Sequence, residues 1–139
     1  MISFVVPGTP VGKGRPKFAR RGNFTVAYTP EKTASYENLV KIAAHEAMSG
    51  NKMIEGAAAA RIFLFVTPPA SWSMKKKACA LNDEIFPTAK PDLDNCVKII
   101  FDAMNQIVFN DDKQVVSLQV QKRFSETASV HVHVWEMKE

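Results

Sequence analysis

The sequence predicts a single α/β (α+β) domain, with a mixed sheet of about four strands flanked by helices. Three observations predict it: two apolar stripes at helical spacing, four short β-prone runs, and their interleaved order β–α–β–α–α–β–β. The 139 residues fit the usual size of one domain, taken here as residues 1–139.

Ile2 to Val6 reads as a first strand, closed by Pro7-Gly8 and followed by a long Gly/Pro/basic loop from Thr9 to Tyr28. Thr29-Pro30-Glu31 then has the form of a helix start: an N-cap, a proline at the first position and an early acid. Behind it Tyr36, Leu39, Val40, Ala43, Ala44, Ala47 and Met48 repeat at helical spacing up to Gly50. Ala57 to Val66 is a β-prone apolar run suited to a buried central strand, stopped by Thr67-Pro68-Pro69. Ser71 to Leu81 reads as a short helix, and Asn82 to Pro91 as a connection with two prolines. The next helix starts just after Asp94-Asn95, with Cys96, Ile99, Ile100, Ala103, Met104 and Ile107 on one face and Lys98, Asp102 and Asn105 on the other. Asn110-Asp111-Asp112 is a polar turn. After it Val116, Leu118 and Val120 alternate with polar residues as in a half-buried strand. Val130, Val132 and Val134 alternate with His131, His133 and Trp135, which places the histidines on the outer face of an edge strand.

Composition narrows the function classes. Apolar runs such as Ile62 to Val66 fall far short of a membrane span, and the N-terminal run lacks a basic leader, so no secretory signal is read. Cys79 and Cys96 have no metal or redox spacing, and a reducing cytoplasm is the expected location. The net charge of +4 is unevenly distributed. Residues 83–112 carry seven acids against Lys90 and Lys98, a local −5, which leaves +9 on the rest of the chain. An acidic spot in a cationic body suits a polyanion held broadly while one place binds a cation.

Asp92 and Asp94 flank Leu93 directly before a helix. In an extended segment their side chains point the same way, with Leu93 anchoring the turn in the core, and Asp94 stands four residues before Lys98. Helix capping explains one such acid, since acids stabilise helix N-termini by about 0.3–1 kcal/mol. For the pair, capping and metal binding stand level on the residues alone. Hard oxygen donors without supporting Cys or His would favour Mg²⁺ or Mn²⁺ over zinc. An EF-hand fails, because Cys96 stands at the loop's fifth position and no loop glycine follows. Asp111 and Asp112 come roughly 20 Å further along the helix axis. They reach the first pair only if the chain folds back, with the following strand running beneath the helix start.

Lys90-Pro91-Asp92-Leu93-Asp94-Asn95, then Lys98, then Phe101-Asp102-Ala103, then Asn110-Asp111-Asp112-Lys113-Gln114-Val115-Val116 strongly resemble the RusA family of endodeoxyribonucleases, which resolve Holliday junctions. Val11-Gly12-Lys13-Gly14-Arg15-Pro16 and Tyr28-Thr29-Pro30 resemble its phage and prophage members. The resemblance implies a RusA-like fold. It also implies a metal set of Asp92, Asp94 and Asp112, with Lys98 as catalytic lysine and Asp111 as the one-position alternative to Asp112. The implied activity is Mg²⁺-dependent cleavage, with Mn²⁺ able to substitute. A homodimer is expected, because a symmetric four-way junction needs two opposed cuts and so short a chain offers one site.

Lys13, Arg15, Lys17, Arg20 and Arg21, set among glycines with no acid before Glu31, are read as DNA phosphate contacts rather than as a solvated loop. A P-loop is excluded by spacing and by the lack of a following Ser/Thr. Lys75, Lys76 and Lys77 read equally as an exposed helix face and as a second DNA patch. Trp72 and Trp135 read as packing residues. Two rival functions are a non-catalytic DNA-binding protein whose acids only cap helices, and a metal-dependent phosphohydrolase acting on nucleotides or RNA.

Overall fold

Alternation buries Ile2, Phe4 and Val6 of the first strand, β1 (Ile2–Pro7), and exposes the residues between them. The computed structural model describes residues 1–14, 17–28 and 31–138. A hairpin follows, β2 (Lys17–Arg21) and β3 (Phe24–Tyr28), paired antiparallel as a separate two-stranded sheet. This corrects the expected loop from Thr9 to Tyr28. Gly22 at φ +62 opens the two-residue turn between Arg21 and Phe24, so Gly22-Asn23 is a hairpin signal that the basic composition around it obscured.

The helix α1 (Glu31–Ala47) packs Tyr36, Val40 and Ala44 inward, together with Thr33. Leu39, expected in that stripe, is 37% exposed because it lies at the margin of the face. The Thr29-Pro30 start lies outside the described residues. Next come β4 (Ala58–Val66), α2 (Met74–Leu81), α3 (Leu93–Met104), a 3₁₀ turn (Asp112–Gln114), β5 (Val115–Phe124) and β6 (Ser129–Glu136). Ser73 caps α2 by accepting the Lys76 N–H.

The main sheet has the expected four strands, in order β1-β6-β4-β5. β6 runs antiparallel to β1 and β4, whereas β4 and β5 are parallel and need the long crossover that carries α2 and α3. β6 is therefore internal, which corrects the expected edge strand. Its histidines do face outward, packed edge-on beside Phe63 and Phe65. The true edges are β1 and β5, and on β5 Val116 and Leu118 are exposed rather than half-buried. The core lies between the other sheet face and the pair α1/α3, around Ile62, Leu64, Ile99, Ile100, Val130 and Val132. No helix among the described residues is long and apolar enough to cross a membrane.

Candidate active site

α3 begins three residues earlier than the spacing predicts. Asp92 is its N-cap, with extended dihedrals (φ −69, ψ 139), and its carbonyl accepts the first helical bond from the Cys96 N–H at 3.1 Å. Leu93 and Asp94 are thus already helical, and Leu93 is 38% exposed, so it does not anchor the turn as expected. The anchor is the buried face that begins three residues on: Cys96, Ile99 and Ile100.

An N-cap aspartate ordinarily accepts a backbone N–H from the first turn. Asp92 does not; its side chain makes no capping bond and takes only a long 3.4 Å contact from the Asn95 amide. Neither Asp92 nor Asp94 ion-pairs with any described residue. Both are exposed at the same helix end, with their oxygens available to a ligand.

The returning strand does run back to the helix start, and it delivers Lys122. From register with Leu64, its ammonium donates to the Ala89 carbonyl at 2.8 Å and the Pro91 carbonyl at 3.0 Å, clamping the segment that leads into Asp92. Cys96 lies beside this cluster. Burial pushes its thiol up to about 11, Lys122 pulls it down, and Asp92 and Asp94 add to the rise, so it stays a neutral core thiol. Lys122 escaped sequence reasoning because nothing in the Gln121-Lys122-Arg123 string shows which basic side chain turns inward. Lys122→Met is expected to destabilise the protein by about 1–2 kcal/mol. It should also speed amide hydrogen exchange across residues 89–95; unchanged exchange there would show that water replaces the clamp.

The glycine-rich segment before β2 lies on the first turn of α3. The Lys13 N–H donates to the Asn95 carbonyl at 2.9 Å and the Gly14 N–H to the Thr33 hydroxyl at 3.1 Å. A Cβ on Gly12 would stand 3.0 Å from that of Asn95, so the approach depends on the missing side chain. The partly buried Lys13 ammonium is held 2.9 Å from Glu37 and 3.1 Å from Asp102. Partial burial acts to lower its pKa, but the hydrogen bonds and charges of those two carboxylates outweigh this and raise it. Lys98 pairs with Asp102 at 3.3 Å rather than with Asp94, and its side chain remains 62% exposed. Asp102 therefore bridges Lys13 and Lys98. Its place one helical turn after Lys98 was the available signal.

Asp111 and Asp112 divide their roles. Asp111 caps the 3₁₀ turn by accepting the Lys113 N–H at 2.9 Å, in a capping box completed by Gln114, which also ties Ile54 and Gly56 through their carbonyls. The Asp112 carboxylate makes no hydrogen bond or ion pair with a described residue. Asp112 is not brought to Asp92 and Asp94 within one chain. From Val115 to Lys122 the strand covers about 23 Å at about 3.3 Å per residue, and no three His, Cys, Asp or Glu side chains cluster as a metal site among the described residues.

The other basic candidates are dispersed. Arg20 is exposed on the hairpin and bonds the Gly22 carbonyl at 3.2 Å. Lys17 and Arg21 share β2, but their side chains, like Arg15 altogether, lie outside the described residues. Lys75, Lys76 and Lys77 sit on α2, with Lys76 4.1 Å over the Trp72 ring. A groove of about 500 Å³ runs between the glycine-rich segment and α3, lined by Thr9, Gly12, Lys13, Lys90, Asp92 and Asn95.

A family model described as endodeoxyribonuclease RusA matches residues 7–135. A protein of Bacillus subtilis (strain 168), described as uncharacterized protein YqaN, is 35% identical over 138 residues, which span 98% of this chain and 96% of the relative.

Proposed function

Because the chain belongs to the RusA endodeoxyribonuclease family, we propose that it is a divalent-metal-dependent, structure-selective endonuclease that resolves Holliday junctions by paired symmetric nicks, in DNA recombination and repair. The observation that carries this is the helix start at Asp92. An acid in the capping position that does not cap, with a second exposed acid two residues on, is an arrangement for a ligand rather than for helix stability.

The donor chemistry fits a hard divalent cation, Mg²⁺ with Mn²⁺ able to replace it: Asp92, Asp94 and Asp112 offer carboxylates that make no ion pair among the described residues. Such an ion, when bound, neutralises phosphate charge and acidifies water. Since one chain holds Asp112 far from the other two, a homodimer is proposed in which the Asp112 turn of each protomer completes the pair on its partner. A two-fold axis then creates two equivalent sites, which is what two opposed incisions require.

Lys98 is the proposed electrostatic residue. Its exposed ammonium, oriented by the ion pair with Asp102, can offset the charge that grows on the phosphate oxygens. Lys13, through Asp102, acts as a positioning residue, while Lys75, Lys76, Lys77 and the hairpin cations supply backbone contacts to the DNA arms. Lys98→Met is accordingly expected to lower turnover about 10²–10³-fold with little change in junction affinity. Equal losses in both would remove that role.

The test of the whole reading is incubation with a four-way junction and with a matched linear duplex, each with and without Mg²⁺. Symmetric nicks confined to the junction and dependent on Mg²⁺ are expected. Equal cutting of the linear duplex would sink the resolvase reading, and hydrolysis of small nucleotides alone would favour a phosphohydrolase.

A further inference from the structure

Beyond the carboxyl ends of the parallel strands β4 and β5 lies a second cavity, of about 440 Å³, within the roughly 300–1,000 Å³ typical of small-ligand sites. The ends of parallel strands are where open α/β sheets commonly hold ligands. Its walls are aromatic and apolar: Trp72, Ile85, Phe86, Pro87 and Phe124, with Lys76 at the rim. No acid lines it. It shares Thr9 and Lys90 with the groove at Asp92, so one strand of substrate can occupy both.

The ring geometry is informative. Trp72 stands edge-on to Phe124 at 5.3 Å, and Lys76 caps its face at 4.1 Å. Arg123 lies 4.8 Å over Phe86, which is 53% exposed although large and apolar. Flat aromatic walls edged by cations match a planar, electron-rich ring attached to a phosphate backbone. They are a poor match for an apolar side chain of another protein, which gains nothing from the cations. A base beside a point of strand exchange is also more easily unstacked than one within a duplex.

The geometry points to this cavity as the receiving site for one unstacked nucleobase of the strand to be cut, next to the scissile phosphate. The inference rests on the nuclease reading and adds to it a source of sequence preference at the cut. Phe86 supplies the stacking face, and Lys90 and Lys76 hold the flanking phosphates.

The probe is a four-way junction bearing a single abasic nucleotide, moved in turn through the two positions on either side of the mapped cut, with affinity measured in EDTA. At one position the abasic change is expected to weaken wild-type binding about tenfold. Phe86→Ala, at a half-exposed site whose loss should not unfold the protein, is expected to weaken the intact junction by a similar factor. The two changes together should weaken it no further. In a Trp135→Phe background, Trp72 fluorescence should be quenched by the intact junction and not by that abasic one. Independent effects at every position would overturn the base pocket, as would a change of sedimentation in Phe86→Ala without coupling, which would mark a contact between copies. A wild type that nicks junctions but shows no coupling removes this inference alone; a wild type that cuts no DNA removes the nuclease reading itself.

Discussion

Replacing Asp92 with asparagine should abolish junction cleavage, by at least roughly 10²–10³-fold, while junction affinity is kept or improved. The physical argument has two parts. Asparagine is nearly isosteric but offers one neutral oxygen where aspartate offers two charged ones, so the cation loses a principal ligand. It also removes a negative charge facing DNA phosphate, which relieves like-charge repulsion. Stability should hardly change, because the Asp92 side chain makes no capping bond to lose and asparagine is as good an N-cap. Thermal melting, a binding titration in EDTA and cleavage in Mg²⁺ separate the possibilities. Undiminished cleavage accompanied by a lower melting temperature would restore the capping interpretation of Asp92 and move the active site elsewhere.

Mixing two inactive variants should restore activity. If each site takes Asp92 and Asp94 from one protomer and Asp112 from the other, Asp92→Asn and Asp112→Asn homodimers each have two broken sites. A heterodimer of the two concentrates both defects in one site and leaves the other intact. With free subunit exchange at equal concentrations, half the dimers are mixed, so about a quarter of the sites recover, and they produce single nicks rather than paired ones. Quantifying nicked and fully resolved junction products after exchange reads this directly. No recovery, with exchange verified by labelled subunits, would mean that each site is built within one chain.

Much of the architecture was legible in the residues because its signals are local. The stripe through Cys96, Ile99, Ile100, Ala103 and Met104 repeats every three to four residues, and all five are buried on α3. The valines of β6 alternate and all three face the core. The hairpin was missed because five cations in the same stretch suggested a solvent-facing loop, although Gly22-Asn23 carried a turn signal. The edge position assigned to β6 failed for a different reason: alternation reports which face a side chain takes, and says nothing of what pairs on either side of the strand.

The residue types of the site, two aspartates at a helix start with a lysine one turn on and a second acidic pair beyond the helix, were determined by the sequence alone, as was the polarity of an acidic window in a basic chain. Their arrangement was decided only by the tertiary structure. It bound Lys13 between Glu37 and Asp102, and brought Lys122 from the far strand to hold the segment before Asp92. It also assigned Asp111 to a cap while leaving the Asp112 carboxylate without a partner among the described residues, and gathered neither with Asp92 and Asp94 into a metal-binding cluster there. The reason is the difference in range. Spacing along a helix or strand fixes neighbours within a turn or a pleat, whereas contacts between residues 24 or more positions apart depend on how the elements pack, on strand order and on register, which no local pattern encodes.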